Sequence, residues 1–203
     1  MKLVVITSEV LDPREPAVLT ALFAAGLERC HVRKPSMSRE DLAAWLRAVP
    51  VAFHPRLVLH QHHELVTELG LGGCHWRDNA SAPFTPPKGG LTSRSCHDLT
   101  SLRTALGCYD SVFLGPVFPS ISKPGHGPNG KFSASELTEL LALRAPAARR
   151  TTVLALGGIT ASNVAQCRAL GFDGVAVLGA IWQTADPVRA FVRLQTTLQR
   201  HAA

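Results

Sequence analysis

A single-domain (β/α)8 barrel spanning residues 1–203 is the fold this sequence predicts, and three features predict it. Short, continuous apolar runs alternate with helix-period segments along the whole chain. The runs lack the apolar–polar alternation of a sheet wetted on one face, so they read as strands buried on both faces. Near the end, two strand-to-helix turns, Leu156-Gly157-Gly158-Ile159 and Val177-Leu178-Gly179-Ala180, expose glycine backbone. Many barrels of this class hold phosphate in this way, on the loops after strands seven and eight.

Taken in order, Met1-Lys2 leads directly into a first strand at 3–7, too short and too strand-like for a secretory leader. No apolar stretch approaches the length of a membrane span, and a cytoplasmic protein is expected. A helical pattern follows at 15–25, then a strand at 29–33 and a helix at 38–49. Ser38 is placed to cap that helix, with Asp41 standing in for the glutamate of a capping box. Strands at 56–60 and 73–76 flank a helix at 62–69. The segment 77–89 carries three prolines and no helical period, so a loop is expected there.

The fifth strand is predicted at 90–95 and its helix at 98–106, capped by Asp98. The sixth, 111–114, stops at Gly115-Pro116. Ser133-x-x-Glu136 opens a helix at 133–143 with a full capping box. Strand 152–156, helix 160–170 with Thr160 as cap, strand 174–177 and helix 186–199 complete the alternation. A doubly wound open sheet is the lesser alternative, because no Gly-x-Gly-x-x-Gly follows the first strand.

Composition narrows the class of function. At 203 residues, 46% hydrophobic and 18% charged, the chain can bury a sizeable core, though it is small for a barrel and its loops must be short. The net charge is +6, but the basic residues are scattered and aromatics amount to 6%. That suits an anionic small molecule better than nucleic acid, which calls for a basic stripe with stacking aromatics. The five cysteines contain no Cys-x-x-Cys pair, so neither a disulfide framework nor a zinc ribbon is indicated.

In such barrels chemistry sits at the C-terminal ends of the strands. Strand two ends in His31-Val32-Arg33-Lys34, with period-two alternation turning His31 and Arg33 toward one face. Arg33 offers a fork for phosphate or carboxylate, with Lys34 as a further cation. Strand three ends in His60-Gln61-His62-His63, strand four in His75-Trp76-Arg77-Asp78, and strand five in Ser95-Cys96-His97. The H-x-H-H run cannot by itself supply the convergent ligands zinc needs, so no metal site is expected from it. After strand six, Ser120, Ser122 and Lys123 bring two hydroxyls and an ammonium together on a loop rich in glycine and proline, where they can wrap an anion.

On these residues the chain resembles the thiamine phosphate synthase/TenI family, in which the synthase and a thiazole tautomerase share one barrel. The likeness runs through His31-Val32-Arg33-Lys34, Ser95-Cys96-His97, Gly115-Pro116-Val117-Phe118-Pro119-Ser120-Ile121-Ser122-Lys123, Leu156-Gly157-Gly158-Ile159 and Gly174-Val175-Ala176-Val177. It implies that Ser120, Ser122 and Lys123 handle pyrophosphate. It also implies that Gly157, Gly158, Val177, Leu178 and Gly179 hold the thiazole phosphate, that Ser95 lies near the pyrimidine or the pyrophosphate, and that Arg33 is the arginine of the family's strand-two motif. A phosphorylated thiazole as substrate and a homodimer are implied as well.

The departures point to proton transfer. The synthase's Asn-Asp after strand three, whose aspartate binds Mg2+, reads His60-Gln61 here, and Pro35 replaces a second basic residue. Asp78 stands at a different spacing from the family's further aspartate. Mg2+ prefers carboxylate oxygen, so it is expected only if the synthase reading holds, and no cofactor otherwise. Tautomerase-like chemistry on the thiazole phosphate is therefore placed first, with the synthase reaction as the alternative and a non-catalytic binder as the third reading. The tautomerase's own histidine falls at Pro116, so His31, His60, His75, His97 or His126 must serve, with His31, Arg33, His60, His97 and Lys123 as the catalytic candidates.

Overall fold

A computed structural model describes residues 1–78, 89–119, 121, 127–128 and 130–200. Its strands are β1 (Lys2–Ile6), β2 (Cys30–Val32), β3 (Leu57–Leu59), β4 (Gly73–Trp76), β5 (Leu91–Cys96), β6 (Ser111–Leu114), β7 (Thr152–Leu156) and β8 (Gly174–Val177). They close into one parallel barrel in sequence order, β8 pairing back onto β1 through Leu3 and Val175. The helices between and after them are α1 (Glu15–Ala24), α2 (Arg39–Arg47), α3 (Glu64–Glu68), α4 (Leu99–Ala105), α5 (Ala134–Ala142), α6 (Val164–Ala169), α7 (Gly179–Trp182) and α8 (Pro187–Arg200). The (β/α)8 expectation is met. The predicted loop at 77–89 falls almost wholly outside the described residues.

Alternation along each strand sends one set of side chains outward and one inward. The outward set, Val5, Cys30, Val32, Leu57, Leu59, Cys74, Trp76, Val112 and Val153 among it, packs under the helices. From α8, Phe191, Leu194 and Leu198 join that layer at three- and four-residue spacing. The inward set divides in two. Val4, Ile6, Phe113, Leu154 and Ala176, from β1 and β6 to β8, fill one half of the barrel with apolar side chains. His31, His75 and Ser93, from β2, β4 and β5, are buried in the other half.

Caps explain several boundaries. Ser133 and Glu136 form the expected capping box, with Ser133 N donating to Glu136 Oε2 at 2.9 Å and Glu136 N to Ser133 Oγ at 3.2 Å. Asp98 does the same with Ser101. Ser38 accepts from Asp41 N at 3.1 Å, but the Asp41 carboxylate takes the Ser38 hydroxyl rather than the Ser38 amide, so no box forms. Thr160 starts a turn instead of a helix: Thr160 N donates to Asn163 Oδ1 at 2.8 Å, and the helix begins at Val164. His62, at φ 51°, lies outside the helical region and delays α3 to Glu64. A 3₁₀ helix at Val51–Arg56, bracketed by Pro50 and Pro55, shortens the predicted third strand from its start.

At the N-terminal end of the barrel, Arg144 grips Asp173 with two hydrogen bonds of 2.8 and 3.0 Å. The same carboxylate accepts from Val153 N at 2.7 Å, joining the starts of β7 and β8. Among the described residues no helix is long and apolar enough to cross a membrane.

Candidate active site

A pocket of about 470 Å³ opens at the C-terminal ends of the strands, within the usual size for a small-molecule site. Its lining brings together Arg33, His60, Ser95, His97, Gly157, Gly158, Val177, Leu178 and Gly179, so nine of the residues expected from sequence share one cavity. His31 lies beneath it, buried in the barrel. Ser120, Ser122 and Lys123, like His126, lie outside the described residues. Ile121 between them lines the pocket.

The rim at the β7 turn follows from glycine chemistry. Gly157 and Gly158 have φ of 97° and 64°, where side chains are disfavoured. A Cβ at Gly157 would come within 2.8 Å of Pro116 Cβ, and one at Gly158 within 2.8 Å of Phe118 Cβ. The loop after β6 thus rests directly on the β7 turn, with Val117 N donating to Leu156 O at 2.8 Å. None of the described acceptors takes the Gly157, Gly158 or Gly179 amide. Across the mouth, α7 is pinned to β1 by Trp182 Nε1, which donates to Ile6 O at 2.7 Å.

Arg33 reaches the pocket but shares its charge with Glu9, its ion-pair partner, on the loop after β1. Glu9 carries no sequence signal of its own and is recognisable as a pocket residue only by its pairing with Arg33. The reading of Lys34 as a further cation at the mouth is corrected. Its side chain is fully buried, ion-paired to Glu15, with Nζ 2.6 Å from Ser8 O. Parity explains this: His31 and Arg33 share one face of β2, and Lys34 takes the other.

The histidines also separate by parity. Of the H-x-H-H run only His60 enters the barrel; His63 contacts His75 O and packs edge-on against Trp76. His60 Nε2 lies 3.1 Å from His31 Nδ1. His60 stacks on His75 with ring centroids 4.0 Å apart, and Phe113 closes against His31 and His75 at 4.6 and 4.8 Å. His75, one of the five histidines that the strand ends offer for proton transfer, lines the same pocket. Burial holds all three rings neutral: it pushes His31 and His60 well below the ordinary imidazole range and His75 down to about 3, neighbouring positive groups adding to the effect. His97 is different. Its Nδ1 lies 2.9 Å from Gly115 O, a group that can only accept, so Nδ1 carries a proton and Nε2 is the nitrogen not engaged by that contact.

Magnesium does not fit these residues. Gln61, in place of the carboxylate, is neutral and spends its amide on Lys34 O. Asp78 is tied to Arg94 and to His97 N. Among the described lining residues Glu9 is the one carboxylate, and it is paired with Arg33.

Comparison with known proteins is consistent along the whole chain. A thiamine-phosphate synthase of Bordetella bronchiseptica is 31% identical over 84% of this chain and 82% of its own. One from Listeria welshimeri is 25% identical over 89% and 90%. The crystal structure of thiamine phosphate pyrophosphorylase from Bacteroides thetaiotaomicron superposes with a TM-score of 0.80 at 30% identity, covering 98% of each chain. The sequence model described as thiamine monophosphate synthase matches residues 3–181. These relatives favour the synthase over the tautomerase that the sequence put first. With the β7 and β8 glycine turns and Arg33 converging on one pocket, the chain belongs to the thiamine monophosphate synthase family, enzymes of thiamine biosynthesis.

Proposed function

We propose that this chain joins a phosphorylated thiazole to an aminopyrimidine pyrophosphate, as a thiamine-phosphate synthase. The observation that carries the reading is the shared cavity of the Gly157-Gly158 turn, the Gly179 turn and Arg33. In this reading the glycine amides, which no described acceptor takes, hold the thiazole's phosphoryl oxygens, as backbone N–H groups do at comparable barrel rims. The second half-substrate then lies toward Arg33 and Ser95, and its departing pyrophosphate meets Arg33; the family resemblance assigns Ser120, Ser122 and Lys123, outside the described residues, to the same group. Fixed cationic and hydroxyl donors stabilise charge that grows on a leaving group, and they do so best in a site that excludes water. No step is routed through magnesium, since the donor set does not suit it.

His97 supports a second reading. It is a pocket residue whose Nδ1 is held by Gly115 O, which leaves Nε2 as the nitrogen through which proton transfer on a thiazole carboxylate phosphate is chemically open to it. His75 is a poor shuttle, since at about 3 it lies far from the near-neutral range in which such groups work best.

Incubation with both half-substrates distinguishes these. Release of pyrophosphate with formation of thiamine phosphate supports the synthase. Isomerisation of the thiazole carboxylate alone, without pyrophosphate release, replaces it with the tautomerase. Tight binding of thiazole phosphate with neither reaction leaves a binder. The homodimer implied by family resemblance is proposed on that basis alone, and light scattering at twice the chain's mass tests it.

A further inference from the structure

Three imidazoles converge in the polar half of the barrel. One ring nitrogen from each of His31, His60 and His75 lies within 4.8 Å of the other two. Within this cluster, His31 Nδ1 and His60 Nε2 are 3.1 Å apart. Ligand nitrogens about 2.0–2.1 Å from a tetrahedral metal stand roughly 3.4 Å from one another. The cluster is therefore near the geometry of a shared ion, needing only a small closure at its widest side.

The tautomer of His75 can be read from its neighbours. Ser93 Oγ has one proton, and it is directed to Cys74 O at 3.2 Å. Ser93 Oγ must then accept from His75 Nδ1–H at 2.9 Å. Nε2 is left with a bare lone pair, met at 2.8 Å by the hydroxyl of Ser95, a pocket residue. A ring held by its remote N–H with its other lone pair turned inward is how metal-binding histidines are oriented. The other half of the barrel interior is apolar, filled by Val4, Ile6, Phe113, Leu154 and Ala176, so the three imidazoles stand out as a polar cluster in it.

We propose that His31, His60 and His75 form a three-histidine site for a divalent transition-metal ion such as Zn2+ or Co2+, with its remaining position open to the pocket. Imidazole selects such borderline ions over magnesium. The ligands are uncharged, so the ion keeps its full charge in a buried setting and favours an anion as its last ligand. His60 and His75 line the pocket, giving a path of entry. Ser95 would release His75 Nε2 on binding, while Ser93 keeps its hold on Nδ1. The site is independent of the synthase reading, since it is defined by metal binding alone.

The test uses full-length, tag-free protein stripped with a chelator and titrated with Co2+ and Zn2+, without substrates. One ion per chain is expected, with the visible spectrum of nitrogen-ligated Co2+ and no competition from Mg2+. His60→Ala and His75→Ala should abolish stoichiometric binding. Ser93→Ala, which touches no metal, should weaken it about 10- to 100-fold, as loss of a histidine's outer partner does. Circular dichroism identifies any variant that fails to fold, and the wild-type spectrum is informative without the variants. Wild-type protein that binds neither ion stoichiometrically, or binding unchanged in folded His60→Ala or Ser93→Ala, overturns the site.

Discussion

His31 Nδ1 and His60 Nε2 face each other across 3.1 Å inside the barrel, on neighbouring strands paired in parallel register. Only one proton can lie between them, so a positive charge on both rings would set two N–H groups against each other. Their neutrality is therefore built into the packing as well as imposed by burial.

Acid stability follows from that neutrality. In the folded chain His31, His60 and His75 all titrate below the 6.5 of a free imidazole. Between the folded and unfolded values the unfolded chain binds more protons, so stability is complete above about pH 6.5 and lost as pH falls toward the folded values. Each group contributes a slope of up to about 1.4 kcal/mol per pH unit, roughly 4 for three together. Urea midpoints measured from about pH 8 to about pH 5 should fall steeply below pH 6.5. A flat profile would show that the rings are already protonated or solvated.

The glycine rim should be intolerant of a methyl group. Gly158→Ala places a Cβ against Phe118 and at a left-handed φ of 64°. About 1–3 kcal/mol of strain is expected from the backbone alone, with loss of thiazole-phosphate affinity in calorimetry. Wild-type affinity in this variant would remove the turn from the binding site.

Arg33→Ala should weaken pyrophosphate binding by about 1.5–3 kcal/mol, the range for hydrogen bonds to charged groups, or roughly 10- to 100-fold. Glu9→Gln should act in the opposite sense, because it removes the carboxylate that now shares the guanidinium. Equal losses from both would contradict this assignment. Lys123→Ala is expected to reduce synthase turnover more than thiazole-phosphate affinity, which steady-state kinetics and calorimetry separate.

The buried Lys34–Glu15 pair predicts a stability effect unrelated to chemistry. Removing one charge with Lys34→Met leaves the other desolvated and should cost about 3–5 kcal/mol. Adding Glu15→Gln should recover part of that in the same denaturation assay. A single variant as stable as wild type would mean the pair is solvated in solution.

Fold class was legible because fully buried parallel strands leave uninterrupted apolar runs, and a sequential barrel leaves them in order. Boundaries were less so: the proline-flanked 3₁₀ turn before β3 and the Thr160 turn before α6 are settled by local hydrogen bonding that periodicity does not register. In the site, Arg33, Ser95 and the two glycine turns were readable from strand ends. The convergence of His31, His60 and His75, each named from its strand end, was not, since a cluster drawn from three strands has no spacing in sequence; nor was Glu9, recognisable only through its contact with Arg33. Lys34 went wrong for a simpler reason. It follows Arg33 directly, and one residue along a strand is a change of face.

The Arg144–Asp173 clamp lies at the end of the barrel away from the pocket, and it secures β7 and β8 where they begin rather than where they line the cavity. Anchoring and cavity lining are consequently handled by opposite poles of the same two strands. The upper loops are free to be exchanged for other substrate chemistries while the lower pole keeps the cylinder shut, which makes this small barrel a practical chassis for grafting new specificities.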